Sequence, residues 1–245
     1  SRDWSSDVCS SDLSAGVSVK NLNTMTMSGN IQAQNYYLNL ISLSGTSVDN
    51  NNRLFIRSNT YATQRTLGVI GSGTRTAKSV DFRDINATVD LAGGGASFGD
   101  AGGNTGLTFP AAKTVYWSST SSGNYLDPYW ATVSGGSPSV ANTPLPQDTG
   151  VIDDSSMSAN GSLQMTPGTT GGVMPGIYAA NRTLAWSLSY SFAGLQFCGS
   201  LTLSSAATSS NVTNIASFYG PQQQTISSAV PLGFYIYVYG NVKLQ

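Results

Sequence analysis

Phe197-Cys198-Gly199-Ser200-Leu201-Thr202-Leu203 is followed by Phe218-Tyr219-Gly220 leading into Gln224-Thr225-Ile226, and then by Val238-Tyr239-Gly240-Asn241-Val242-Lys243-Leu244. Each phrase opens on an apolar residue, reaches a glycine two positions later and continues into a short β-type run. The glycines fall about twenty residues apart, the period of one coil of a β-solenoid, in which each unit buries its apolar face only against the next. At that period the chain would hold about ten or eleven coils. The repeat is irregular: Ile226 lies six residues beyond its glycine, whereas Leu203 and Leu244 lie four beyond theirs. Two extra residues around Gln222 and Gln223 are therefore expected to form a bulge or wider turn that keeps glutamine out of the core. Phe197, Phe218 and Val238 form the expected inward row, with Cys198, Tyr219 and Tyr239 as its outward counterpart.

Working back toward the N-terminus, the same alphabet recurs. Val17 and Val19 alternate with Ser18 and Lys20, Leu38 and Leu40 with Tyr37 and Asn39, and Val80 and Phe82 with Asp81 and Arg83. Such period-two runs, bounded by Ser, Thr, Gly and Asn, read as half-buried strands. The clearest is Leu184 to Phe192, where Leu184, Trp186, Leu188, Tyr190 and Phe192 alternate with Ala185, Ser187, Ser189 and Ser191. Burial of such a face contributes about 1.5–3 kcal/mol per large side chain. No helical periodicity competes with this reading.

Composition narrows the chemistry. Charged residues make up 9% of the 245, and the formal net charge is -1, so neither a basic nucleic-acid footprint nor an acidic tail is present. All 12 acidic residues are Asp and there is no His, which removes His general bases, Ser-His-Asp triads and His-ligated metals. No apolar run is long enough for a membrane-spanning helix. The glycine-rich stretch Gly93 to Gly106 lacks the Gly-Lys-Ser/Thr ending of a phosphate loop and reads as a turn. Neither a cofactor nor a metal ion is expected, because no Asp-x-Asp-x-Asp-Gly calcium loop occurs.

Asp3 to Leu13 resembles, codon by codon, the translation of a common short-read sequencing adapter. Residues 1–13 are accordingly read as an artefact of sequence assembly and set aside. Cys198 is then the single remaining cysteine, which excludes an intrachain disulfide.

Several longer phrases carry a resemblance. Arg53-Leu54-Phe55-Ile56-Arg57-Ser58-Asn59-Thr60, Thr63-Gln64-Arg65-Thr66-Leu67 and Val80-Asp81-Phe82-Arg83-Asp84-Ile85-Asn86-Ala87-Thr88 are similar to repeats in uncharacterised metagenomic phage and bacterial surface proteins. So are Gly102-Gly103-Asn104-Thr105-Gly106-Leu107-Thr108-Phe109 and the aromatic module from Tyr116-Trp117 through Gly123-Asn124-Tyr125 to Trp130. In those proteins a Trp usually stands where this chain has Leu107 and Tyr125. Pro144-Leu145-Pro146-Gln147-Asp148 and Val151-Ile152-Asp153-Asp154 resemble the phrase that restarts their solenoid. The resemblance implies an all-β chain, a right-handed parallel β-helix with a long aromatic-containing loop or insertion near 110–147. It divides the chain into the adapter segment 1–13, N-terminal coils over 14–109, an aromatic Gly/Ser/Pro-rich insertion over 110–147 and C-terminal coils over 148–245. The chain is expected to stop within a coil at Gln245, with further coils beyond both ends or a homo-oligomeric partner.

The resemblance implies a structural or adhesive module, tail-associated on a phage virion or displayed on a bacterial cell surface, and therefore extracellular or virion-borne. Cell-surface polysaccharide is the expected partner, with no nucleic acid. Two aromatic groups are candidate ligand-binding residues: Trp117, Tyr125 and Trp130 in the loop, and the row Tyr235, Tyr237, Tyr239 on the last long strand. Aromatic faces stack on sugar rings; equally, Trp117 and Trp130 would pin the loop to the solenoid side, since large aromatics are mostly buried, and the tyrosine row would pack against a following coil or a partner chain.

The alternative function is a polysaccharide-degrading β-helix enzyme, a lyase or glycoside hydrolase. Glycoside hydrolysis needs two carboxyl groups facing one another across a bond. Nine Asp lie dispersed beyond residue 13, of which Asp81, Asp84, Asp127, Asp148, Asp153 and Asp154 are the candidates, and Asp153 and Asp154, if in one strand, point to opposite faces. No catalytic residue is therefore assigned, and the chain is expected not to be an enzyme. Lone Cys198, with no His to activate it, is expected to be inert.

Overall fold

The computed structural model describes residues 17–20, 24–27, 29, 31–34, 37–41, 53–70, 74–88, 91, 98–165, 173–189, 195–210, 215–220, 222–233 and 235–245. Segment 1–13, Tyr190, Phe192, Phe234 and part of the glycine-rich stretch at 92–97 lie outside these residues. The chain is a parallel β-solenoid that divides into two compact units, Ser1–Pro110 and Ala111–Gln245.

Each coil of the first unit visits three sheets in turn. Strands β1 (Val17–Lys20), β2 (Thr24–Met27) and β3 (Ile31–Gln34) form one coil, and β4 (Tyr37–Ile41), β5 (Leu54–Ser58) and β6 (Arg65–Ile70) the next. Strands β7 (Thr74–Lys78), β8 (Val80–Arg83) and β9 (Ile85–Ala87) form a third, and β10 (Gly99–Asp100) adds a rung beside β8. Its core is Met27, Leu54, Ile56, Leu67, Val80, Phe82, Ile85, Leu91 and Phe98, with Leu107 and Phe109 packed against it.

In the second unit β11 (Thr114–Trp117) and β12 (Gly123–Asn124) open two sheets, and β13 (Trp130–Ala131) folds back antiparallel to β11. Three coils follow: β14 (Thr149–Val151), β15 (Gly161–Gln164) and β16 (Val173–Met174); then β17 (Gly176–Ala179), β18 (Trp186–Ser189) and β19 (Leu195–Phe197); then β20 (Leu201–Leu203), β21 (Ala207–Ser210) and β22 (Ile215–Phe218). Strands β23 (Gln224–Ser228), β24 (Tyr235–Val238) and β25 (Val242–Leu244) extend two of the sheets.

Among the described residues, six coils thus carry all three strands, fewer than the repeat period suggests. The reason is coil length. Val242 pairs with Gln224, eighteen positions earlier, but Thr74 pairs with Tyr37, thirty-seven positions earlier. Solenoid corners absorb loops of any length so long as the strands stay in register.

The repeated phrase spans a corner, opening in the sheet of β16, β19, β22 and β24 and continuing into that of β17, β20, β23 and β25, and it has one copy more than the sequence disclosed. Met174 pairs with Phe197, Phe197 with Phe218 and Phe218 with Val238. Met174-Pro175-Gly176 is therefore the first copy of the phrase, ahead of the three glycines that announce it. Phe197 and Phe218 are buried and stack at 5.1 Å between centroids, whereas Val238, on the outermost rung, is 52% exposed. The glycine is required by close approach. A methyl group on Gly199 would lie 2.6 Å from the Cα and N of Gly176 in the coil below, a distance no side chain tolerates.

The bulge is also larger than expected. Ile226 pairs with Leu201 and with Leu244, so the ladder partner in the earlier coil is Leu201 and not Leu203. Gln222 and Gln223 are exposed in the widened turn, while Gln224 turns inward and is buried. Its amide donates to the carbonyls of Phe197 and Gly199 and its Oε1 accepts from Gly220 N, so the corner is stapled from three sides.

Two strand expectations change. Leu184 lies outside β18 and is 39% exposed, because its N–H is held at the corner by Asp154; Trp186 and Leu188 do face the core. β8 is buried on both faces rather than one. On its outward side Asp81 is bridged by Arg53 at 2.7 Å, and the guanidinium groups of Arg57 and Arg83 lie 5.8 and 5.5 Å from the ring centre of Phe55. Desolvated charges persist where they are paired, and here pairing and cation–π contact supply that.

Candidate functional site

Aromatic residues concentrate in two places in the second unit, and their environments differ. Trp117 and Trp130, cross-strand partners in β11 and β13, are fully buried, and Tyr125 is 5% exposed. The two indoles meet edge to face at 5.3 Å, and Tyr129 packs on Trp117 at 5.4 Å in the same geometry. Trp130 Nε1 donates to the carbonyl of Tyr125 at 2.7 Å. The glycines opposite are what make room: a methyl on Gly150 would stand 2.7 Å from the Trp130 ring. None of these three aromatics offers an open face on which a sugar ring could stack.

Tyr235, Tyr237 and Tyr239 are 68%, 50% and 45% exposed. β24 places Tyr235 and Tyr237 on its outward side, two residues apart, with Ile236 turned toward the core cluster. Tyr239 continues the row. It stacks nearly parallel on Tyr219 of the preceding coil at 4.3 Å and 7°, and lies 6.5 Å from Tyr237 at 19°. The parallel register of β22 and β24 sets this stack, since Tyr219 and Tyr239 each follow the paired residues Phe218 and Val238. A stacked pair loses little mobility when a further ring packs on it. Tyr219 was legible only as an outward residue of the repeat; its role in the stack depends on the ladder register.

No family model, curated protein or solved structure matches this chain.

The six aspartates considered for catalysis are engaged separately. Asp81 holds Arg53. Asp84, in a left-handed backbone conformation at φ 56°, accepts from Ala62 N; burial pushes its carboxyl above the ordinary range against the pull of that bond and of Arg83. Asp127 accepts from Asn124 N, and Asp148 from Lys113 N and Leu145 N. Asp153 and Asp154 lie in a turn after β14, not in a strand. Asp153 accepts from Ser155 N, while Asp154 reaches the next coil, where Thr183 Oγ1, Thr183 N and Leu184 N donate to it. The Thr183 hydroxyl, followed by those amides, holds the Asp154 carboxyl below the ordinary carboxylate range.

Arg182 completes that corner in the opposite direction. It is 1% exposed and donates to the carbonyls of Asp153, Met157 and Ser158, and its burial lowers its own pKa. Nothing in Asn181-Arg182-Thr183 distinguishes it from a surface arginine. Among the described residues, no three acidic or thiol side chains gather closely enough to hold a metal ion, and Cys198 is a buried thiol. No described helix is long and apolar enough to cross a membrane.

Proposed function

We propose that this chain is a structural or adhesive β-solenoid module of a phage virion or bacterial cell surface, non-enzymatic, that binds cell-surface glycan. The observation that carries the reading is the exposed row Tyr235, Tyr237 and Tyr239, pre-stacked on Tyr219. Phenol rings bury the apolar C–H face of a sugar while their hydroxyls bond outward to its oxygens. Engagement of the aspartates in turns and corner clasps fits a scaffold role for the acids.

A glycan array probed with the full chain tests this. Binding to a subset of bacterial surface glycans is expected, reduced about tenfold, or ~1.4 kcal/mol, when Tyr235 and Tyr237 are both replaced by Ala. Trp117→Ala and Trp130→Ala would act only through stability. Absence of binding across the array, or binding indifferent to the tyrosine replacements, overturns the reading.

A further inference from the structure

Tyr219 and Tyr239 occupy equivalent places in consecutive coils, each directly after a residue of the Phe218–Val238 ladder pair. Their phenol rings lie face to face, 4.3 Å between centroids and 7° from parallel. Two carbons in contact stand about 3.5–4.0 Å apart, so the rings are only slightly beyond touching. Tyr237 lies farther from Tyr239, at 6.5 Å and 19°. Tyr239 is 45% exposed and Tyr219 is half-buried, so an oxidant in solvent has access to the pair.

A phenol that gives up one electron also gives up its hydroxyl proton. The neutral radical that remains spreads its unpaired electron over the oxygen and over the ring carbons ortho and para to it. In tyrosine the para carbon carries the side-chain stem, which leaves the ortho carbons for bond formation. Two such radicals held face to face couple faster than radicals that must first meet by diffusion, because the fold has already brought the reacting rings together.

We propose that Tyr219 and Tyr239 form an oxidative cross-linking site, joined ortho carbon to ortho carbon as dityrosine by a one-electron oxidant, a peroxidase acting with hydrogen peroxide. Each hydroxyl loses an electron and a proton, and one carbon–carbon bond forms. The hydrogen on each bonded ring carbon then moves to the oxygen of its own ring. The pair loses two hydrogens in all, and one hydrogen peroxide is reduced to two waters. The bridge joins residues twenty positions apart and ties one coil to the next, constraining the unfolded chain as a disulfide does. Cys198, a buried free thiol, supplies no such link. The inference stands apart from glycan binding, since it needs only the stacked pair.

Treatment of the dilute full chain with a peroxidase and limiting hydrogen peroxide, followed by peptide mapping of the monomer by mass spectrometry, tests the assignment. A cross-linked Tyr219–Tyr239 peptide pair, two hydrogens lighter than the sum of its parts, is expected together with dityrosine fluorescence. Tyr219→Phe and Tyr239→Phe keep a ring in the stack but remove the oxidisable hydroxyl, and each should abolish that pair. Tyr178→Phe, on the neighbouring sheet, should leave it unchanged. Circular dichroism of the three variants separates a lost cross-link from a lost fold. Cross-links formed only between chains, a monomer yield in Tyr219→Phe equal to the parent's, or formation at the same rate in the denaturant-unfolded chain overturns the proposal. So does absence of dityrosine in the chain when free N-acetyltyrosine in the same mixture is oxidised.

Discussion

At the β11 end of the second unit, Trp117 and Trp130 are wholly buried and meet edge to face at 5.3 Å; at the β24 end, Tyr235, Tyr237 and Tyr239 keep between 45% and 68% of their surface open. Both rungs are aromatic and both belong to the same solenoid unit. The difference lies in the face of the strand that carries each ring: Trp117 and Trp130 sit on the core side with Val115, Tyr235 and Tyr237 on the outward side of β24. β13 folds back antiparallel onto β11, bringing Trp130 across from Trp117 and anchoring it through its indole N–H. Among the described residues no antiparallel strand pairs with β24. Aromatic content alone does not mark a binding surface; the face of the strand that carries the ring decides.

The contrast breaks most readily at the sealed rung. Trp130→Ala should lower stability by about 3–5 kcal/mol, the range for a fully buried large aromatic, read as a fall in the denaturation midpoint by circular dichroism. A loss below about 1 kcal/mol would mean that the ring is not buried as described. Gly150→Ala sharpens the same point from the other side. The added methyl meets the Trp130 ring at 2.7 Å, and overpacking of this kind costs about 1–3 kcal/mol. In a Trp130→Leu background the penalty should shrink, because the obstructing ring is gone.

At the open rung the effects are smaller. Tyr239→Ala removes the stack on Tyr219, and about 0.5–1.5 kcal/mol is expected. Tyr235→Ala, with the most exposed ring of the row, should stay within about 0.5 kcal/mol. Thermal unfolding of the two variants side by side checks the order, and a larger loss at Tyr235 than at Tyr239 would contradict the stacking geometry.

Much of the architecture was legible because a solenoid writes its period into the chain. Phe197, Phe218 and Val238 fall in register as their shared phrase predicts. Met174-Pro175-Gly176 was missed because proline in the second position hides the β pattern, although Gly176 and Gly199 are in mutual contact. Leu201 was displaced in favour of Leu203 because counting from the glycine cannot see a widened corner; only the ladder does. Burial of Trp117 and Trp130 was one of two readings the sequence left open, and the exposure of the tyrosine row was another. Trp and Tyr in a Ser/Gly-rich stretch look alike until the register shows which side of the strand faces the core.

The smallest expected effect is a pH dependence of opposite sign at two corners, Asp154 after β14 and Asp84 between β8 and β9. The folded-state pKa of Asp154 is depressed, so its contribution to stability is present above the ordinary value of 3.8 and is lost as pH falls through the folded value. Asp154→Asn should therefore differ from the parent at neutral pH and converge with it in acid. Asp84 runs the other way. Its pKa is raised, so the native state is favoured at low pH and loses that advantage as pH rises from 3.8 through the folded value, a slope that Asp84→Asn should remove. Denaturation midpoints across pH 2 to 7 (roughly the window in which carboxylates titrate) check both signs.

Hydroxyl-radical footprinting of the intact chain, read residue by residue by mass spectrometry, tests the contrast between the two rungs most directly. Tyr235, Tyr237 and Tyr239 are expected to label rapidly, while Trp117, Tyr125, Trp130 and Trp186 stay protected until the chain unfolds. Labelling of Trp117 and Trp130 at the rate of Tyr235, or protection of the tyrosine row, would contradict the account.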